Sequence, residues 1–308
     1  MLPSEQARLR LREGDEALAR QDLQTALVEF KEAVRLDPQL ADGHRKLGQA
    51  YKQSGQLARA ADSLESAVQL DPLDYGSVFD LGDVYRLLDN LTQAIRAYAM
   101  AIKLEPRKFE PRYHLACAYH EKGELELAIE QYDAALKIDS SDSQAWSNLG
   151  AAQDTRGAAY EAIRAYKRSL ECDTQQPVVL VNLATVYLNQ ERFKTAQRTL
   201  KAALKMSPTL SVAHERLGYC HWREQLYEEA AESYRSAVEL NDKNARAFAG
   251  YGVVRMTQYL KNPEQRDYRD EAIESWHHSL EIDPRQPKLK ELIEKYRIKR
   301  EHPSLTVE

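Results

Sequence analysis

The chain has 308 residues, of which 30% are charged and 43% apolar, and it carries a net charge of −5. That balance argues against general nucleic-acid binding, which needs a basic footprint, and no apolar run is long enough to cross a bilayer. Three widely spaced cysteines, an odd number, make no disulfide framework. Met1-Leu2-Pro3-Ser4-Glu5 lacks a basic and hydrophobic export pattern, so the expected compartment is cytoplasmic, although a piece of a longer chain would read the same way.

Four series of residues recur every 34 positions. The first is Ala26, Ala60, Ala94, Ala128, Ala162, Ala196 and Ala230. The second is small throughout: Gly14, Gly48, Gly82, Ala116, Gly150, Ala184, Gly218 and Gly252. A third runs Ala33, Ala67, Ala101, Ala135, Ser169, Ala203 and Ala237, and a large series runs Phe30, Leu64, Tyr98, Tyr132, Tyr166, Leu200 and Tyr234. Small residues let helix backbones approach, and large ones fill the gaps between them. The chain is therefore an array of one small unit, not a few large domains.

Along the chain the apolar period is helical. Leu47, Ala50 and Tyr51 fall at i, i+3 and i+4, and Ala60, Ala61, Leu64, Ala67 and Val68 repeat the pattern beyond Gly55. Each unit reads as two antiparallel helices joined by a tight turn. The turns fall at Ser54-Gly55, Asp89-Asn90, Lys122-Gly123 and Arg156-Gly157. Second helices end at Asp37-Pro38, Asp71-Pro72, Glu105-Pro106, Ser207-Pro208 and Asp283-Pro284, because proline cannot continue a helix. No strand is expected. After Pro284 one more helix carries Leu289, Leu292, Ile293, Tyr296 and Ile298 as an apolar stripe. It is also basic, with Lys288, Lys290, Lys295, Arg297, Lys299 and Arg300. A solvated capping face explains those charges, and contact with an acidic partner or membrane surface is the sharper reading.

Trp146-x-x-Leu149-Gly150 followed by Ala162, Tyr166 and Ser169, and Leu81-Gly82-x-x-Tyr85 followed by Ala94, Tyr98, Ala101 and Pro106, resemble the tetratricopeptide repeat family. The resemblance implies an all-α fold, a right-handed superhelical solenoid of about eight helix-turn-helix repeats with a C-terminal capping helix. The expected frame is an N-terminal lead-in at 1–6, then repeats at 7–40, 41–74, 75–108, 109–142, 143–176, 177–210, 211–244 and 245–286. The capping helix follows at 287–301 and a tail at 302–308. The eighth repeat carries about eight extra residues near 259–270, with Asn262-Pro263 reading as a turn. The first repeat has Glu13 and Ala17 where others have leucine and tyrosine, as terminal repeats often do.

Catalytic motifs are missing: there is no phosphate-cradling glycine loop, serine-nucleophile elbow or paired-cysteine zinc pattern. His114, Cys117 and His120 spread over about 120° of one helix. Two of them could approach a metal, but no fourth ligand is visible and packing explains them better. The expectation is no enzyme, no cofactor and no metal.

The family pattern implies a concave groove lined by the second, fifth, sixth, ninth and twelfth places of each repeat. In the N-terminal half these are Asp42, Arg45, Lys46, Gln49, Lys52, Phe79, Asp80, Asp83, Arg86, Tyr113, His114 and His120. Further on they include Asn148, Val178, Val181, Asn182, Thr185, Val212, Glu215, Arg216, Tyr219 and Trp222. The candidate peptide-binding residues are Arg45, Lys46, Phe79, Tyr113, His114, Asn148, Asn182, Arg216, Tyr219 and Trp222. Asparagines can bond a peptide backbone without reading its sequence, and Tyr219 and Trp222 are either aromatic anchors or core.

Two subgroups of the family fit poorly. Of the carboxylate clamp of chaperone-binding domains, only Asn182 and Arg216 match, with Ser147, Ala151 and Val212 at the other places. Of the asparagine ladder of O-linked N-acetylglucosamine transferase, only Asn148 and Asn182 match. The resulting expectation is a non-enzymatic scaffold or adaptor holding a protein or peptide partner in its groove. The alternative is a regulatory or oligomerising subunit that acts through the capping helix or convex face. Self-association is common in proteins of this resemblance, but no residue here requires it.

Overall fold

The computed structural model describes residues 3–296, and among them every regular element is a helix. Contacts divide the chain into two units, residues 1–165 and 166–308, with the division inside one helix.

In the first unit, the helices are α1 (Pro3–Ala19), α2 (Leu23–Leu36), α3 (Ala41–Gln53), α4 (Leu57–Leu70), α5 (Tyr75–Leu87), α6 (Leu91–Leu104), α7 (Glu110–Glu121), α8 (Leu125–Leu136) and α9 (Ser143–Thr155). Then α10 (Ala159–Cys172) carries the division. The second unit continues with α11 (Pro177–Asn189), α12 (Phe193–Met206), α13 (Ser211–Arg223), α14 (Tyr227–Leu240), α15 (Ala245–Lys261), α16 (Arg266–Ile282) and α17 (Pro287–Tyr296). The first helix begins at Pro3, inside the expected lead-in. Residues 297–301 of the expected capping helix and the tail lie outside the described residues.

Within each unit the periodic series meet as their sizes require. Ala26, Ala60, Ala94, Ala128, Ala196 and Ala230 are all fully buried. A Cβ at Gly82 would lie 2.7 Å from the Tyr98 ring, and one at Gly252 would run into the Trp276 indole. Only a missing side chain allows those helices so close.

Turn chemistry keeps the same period. Gln21, Gly55, Asp89, Gly123, Gly157, Glu191 and Gln225 all take positive φ, between 57° and 85°. Each follows a first helix, and the next residue closes a bond back across its last turn, as Gln56 N does to the Tyr51 carbonyl at 2.9 Å and Leu226 N to the His221 carbonyl at 2.9 Å. At the ends of second helices, Asp37, Asp71, Asp139, Asp173 and Asp283 each accept the N–H two residues on.

The surplus residues of the last pair do not form a loop. They lengthen α15 and α16 to 17 residues each, against 13 and 14 in α13 and α14. Between them, Asn262 to Gln265 make the turn. The added turns hold a buried cation: Arg255 stacks on Tyr251 at 5.0 Å and Tyr268 at 4.9 Å and pairs with Glu271 at 2.7 Å. α17 buries Leu289 and Ile293 in the same cluster as Met256 and Trp276.

Candidate functional site

In the first unit the expected groove positions bond to one another. Lys46 donates to Asp15 at 2.7 Å, Gln49 to Asp80 at 2.6 Å and Lys52 to Asp83 at 2.8 Å. Each pair is separated by 31 residues, one period less one helical turn, so each bond ties one first helix to the next. Arg45 pairs with Asp42 at 2.7 Å and faces Asp74 at 3.6 Å. Arg86 Nη1 donates to Glu121 at 3.2 Å, with its Nε buried and unmatched.

Asp83 also accepts from Tyr98 at 2.8 Å and faces His114 Nδ1 at 3.2 Å. Burial disfavours the Asp83 carboxylate, yet the hydrogen bonds from His114 and Lys52 outweigh it and hold its pKa well below the usual range. Neighbouring Asp80 goes the other way, raised chiefly by burial.

The aromatic candidates likewise contact each other. Phe79 stacks on Tyr75 at 5.7 Å and meets the edge of His114 at 5.2 Å. Tyr113 stacks on Phe109 at 5.5 Å, and its hydroxyl accepts from Asn148 at 3.0 Å. Of the three residues weighed as metal ligands, His114 turns to Asp83, Cys117 accepts from Tyr132 at 3.4 Å and His120 lies 6.5 Å from the Tyr132 ring. No group of three or more metal-ligating side chains occurs among the described residues.

The second unit differs. Asn182 has no side-chain partner among the described residues and is half-buried. A cavity of about 430 Å³ is lined by Thr185 and Leu188 of α11, by Glu215, Arg216, Tyr219 and Arg223 of α13, by Tyr234 of α14 and by Arg246 of α15. It brings together Arg216 and Tyr219 of the expected site residues, but neither Asn182 nor Trp222 lines it. Trp222 packs on the core beside Tyr219, with ring centroids 6.0 Å apart. Arg216 Nη1 donates to Glu215 at 3.1 Å, while Arg216 Nε is buried without a partner. Burial pushes the Glu215 carboxyl up, against the pull of Arg216 and Arg246.

Arg223 and Arg246 were not foreseen. Arg246 lies one repeat after Val212, so carrying the column of second places one repeat further finds it. Arg223 occupies no expected groove place. It is held by Tyr219 at 2.9 Å, Glu191 at 3.2 Å and the Phe193 face at 4.5 Å, a set of contacts visible only in the fold.

Sequence profiles of tetratricopeptide repeats match residues 14–55, 45–111 and 117–157, and that of the tetratricopeptide repeat protein 21 C-terminal ARM domain matches 178–297. The chain belongs to the tetratricopeptide repeat family. Solved structures agree. One similar structure is the MamA protein, 27% identical, with 56% of this chain and 94% of that one covered and a TM-score of 0.53. Another is the Cut9–Hcn1 hetero-tetramer of the APC/C, 18% identical over 94% of this chain and 55% of that one, with a TM-score of 0.61. A third is YrrB, a tetratricopeptide repeat protein with an unusual peptide-binding site, 24% identical over 65% of this chain and 100% of that one, with a TM-score of 0.51. No curated protein matches the chain in sequence. Tetratricopeptide repeat proteins typically mediate protein–protein interaction. No helix of the described residues is long and apolar enough to cross a membrane.

Proposed function

We propose that this tetratricopeptide repeat protein is a non-enzymatic scaffold that holds a segment of a protein partner on the face formed by α11, α13 and α15. One contrast carries the reading. Most corresponding positions of the first unit are paired with each other, whereas those of the second leave Asn182 and Arg246 without hydrogen-bond partners among the described residues. Polar groups left over on this face are available to a ligand. Exposed Val178 and Val212 add apolar surface on the same two helices. The pairings of the first unit support a stiffening role for its charged column instead.

The test is capture of partners on the purified chain, followed by mapping of their bound segments. An Asn182→Ala/Trp222→Ala variant with unchanged circular dichroism is compared. Loss of a half-buried tryptophan anchor should weaken mapped segments roughly thirtyfold, about 2 kcal/mol. Partners retained at full affinity would move the site to α17 or to the outer helices.

A further inference from the structure

We infer that the cavity bounded by α11, α13 and α15 receives one side-chain carboxylate, an aspartate or glutamate within the bound segment. This rests on the groove reading above and names the chemistry that the groove selects.

Three guanidinium groups and two carboxylates line the cavity: Arg216, Arg223 and Arg246 against Glu191 and Glu215. Arg223 is fully engaged by Glu191, the Tyr219 hydroxyl and the Phe193 face. Arg216 gives one terminal nitrogen to Glu215 and keeps a buried Nε without an acceptor. Arg246 is exposed and makes no ion pair among the described residues. Arg246 therefore keeps its charge-assisted donors for an acceptor that enters the cavity. The surplus is one positive charge, which matches a single carboxylate and not a doubly charged phosphate.

One glycine sets where Tyr234 lies. Gly250 lies one repeat after Arg216, where the column otherwise carries long or polar side chains. Tyr234 packs its ring against Gly250 so closely that a Cβ there would run into it, and so becomes a wall of the cavity. Val178 and Val212, 58% and 42% exposed, stand two repeats and one repeat ahead of Arg246 in the same column. A bound segment therefore has apolar contacts available beyond the cavity, which favours a carboxylate within the segment over one at its end.

The test uses the intact chain and a library of linear twelve-residue peptides joined at their C-termini to a phage coat protein, so that no free terminal carboxylate is presented. Selected peptides are remade with amidated C-termini and measured by fluorescence anisotropy. We expect an aspartate or glutamate at one fixed position. Replacing it by its amide should weaken binding roughly tenfold, as losing a charge-assisted hydrogen bond does. Arg246→Ala, an exposed change that spares the fold, should weaken the acidic peptide by a similar factor and leave the amide peptide unchanged.

The inference is overturned if the amide peptide binds equally well, or if Arg246→Ala weakens both peptides alike. It is also overturned if a phosphoserine at that position binds more tightly than the acid. Should peptides depend on Asn182 and Trp222 but not on acidity, this inference alone falls and the groove reading stands. Should no peptide be selected, or the peptides ignore Asn182 and Trp222, both fall.

Discussion

Lys52 Nζ lies 2.8 Å from Asp83 Oδ2, across 31 residues of chain. The same carboxylate accepts from Tyr98 and faces His114, so one side chain joins α3, α5, α6 and α7. Such a hub is more than a surface ion pair, because Asp83 is only 15% exposed and its partners converge on it.

Asp83→Asn should therefore destabilise the chain by about 1–3 kcal/mol, less than a fully buried pair would cost because Lys52 can reach water. The pH dependence follows from a pKa held below the usual carboxylate range. A depressed value contributes stability that is complete above the unfolded carboxylate's pKa of about 4 and is lost as pH falls through the folded value. Urea unfolding at pH 7 and at a series of acid pH values should show the full gap first and a narrowing gap later. An equal gap at every pH would remove the carboxylate from the account.

Gln21 and Gln225 occupy the left-handed turn position at φ 60° and 62°, and both are exposed. Gln21→Gly and Gln225→Gly should each stabilise the protein by about 0.5–1 kcal/mol, since relief of left-handed strain exceeds the added freedom of the unfolded chain. Gly55→Ala should do the reverse. Differential scanning calorimetry of the three variants reads the signs directly, and a lower Tm for both glycine variants would refute the reasoning.

These turns show what the sequence makes legible. The repeat columns were readable because packing demands a small or a large residue at each place, as at Gly82 against Tyr98. The left-handed column was only half visible. Gly55, Gly123 and Gly157 announce it, but Gln21, Glu191 and Gln225 are not residues that conformation favours. Insertion length was plain near 259–270, yet not its outcome, since adding one turn to each of two helices leaves no local signal. Individual site residues were reachable only through the resemblance, and their pairing was not. Lys46 reads as a groove cation until Asp15 is seen beside it.

The three cysteines should separate by reactivity. Cys220 is fully buried, and burial pushes its thiol up to about 12. Cys117 is half-buried and also raised by burial, whereas Cys172 is exposed. A colourless disulfide reagent that releases a chromophore at pH 8 should modify Cys172 fast, Cys117 slowly and Cys220 only after denaturation. Rapid labelling of Cys220 in the native protein would show that α13 opens readily.

Arg255 is 10% exposed between Tyr251 and Tyr268, with Glu271 as its counter-ion. Arg255→Ala should cost about 1–2 kcal/mol, since the stacking and the stem's packing go while Glu271, 41% exposed, can hydrate. Hydrogen exchange should show the loss concentrated in α15 and α16. A loss confined to other helices would mean the guanidinium does not secure this pair.

The bonds that tie one first helix to the next in the first unit join residues 31 to 35 apart. Forming any of them requires closing a loop of about one repeat and no more, so the entropic barrier does not grow with the number of repeats. Chain length is then nearly irrelevant to how fast each segment finds its partners. A new repeat could be added without slowing the assembly of those already present, which is a kinetic freedom that a protein built on distant pairings does not have.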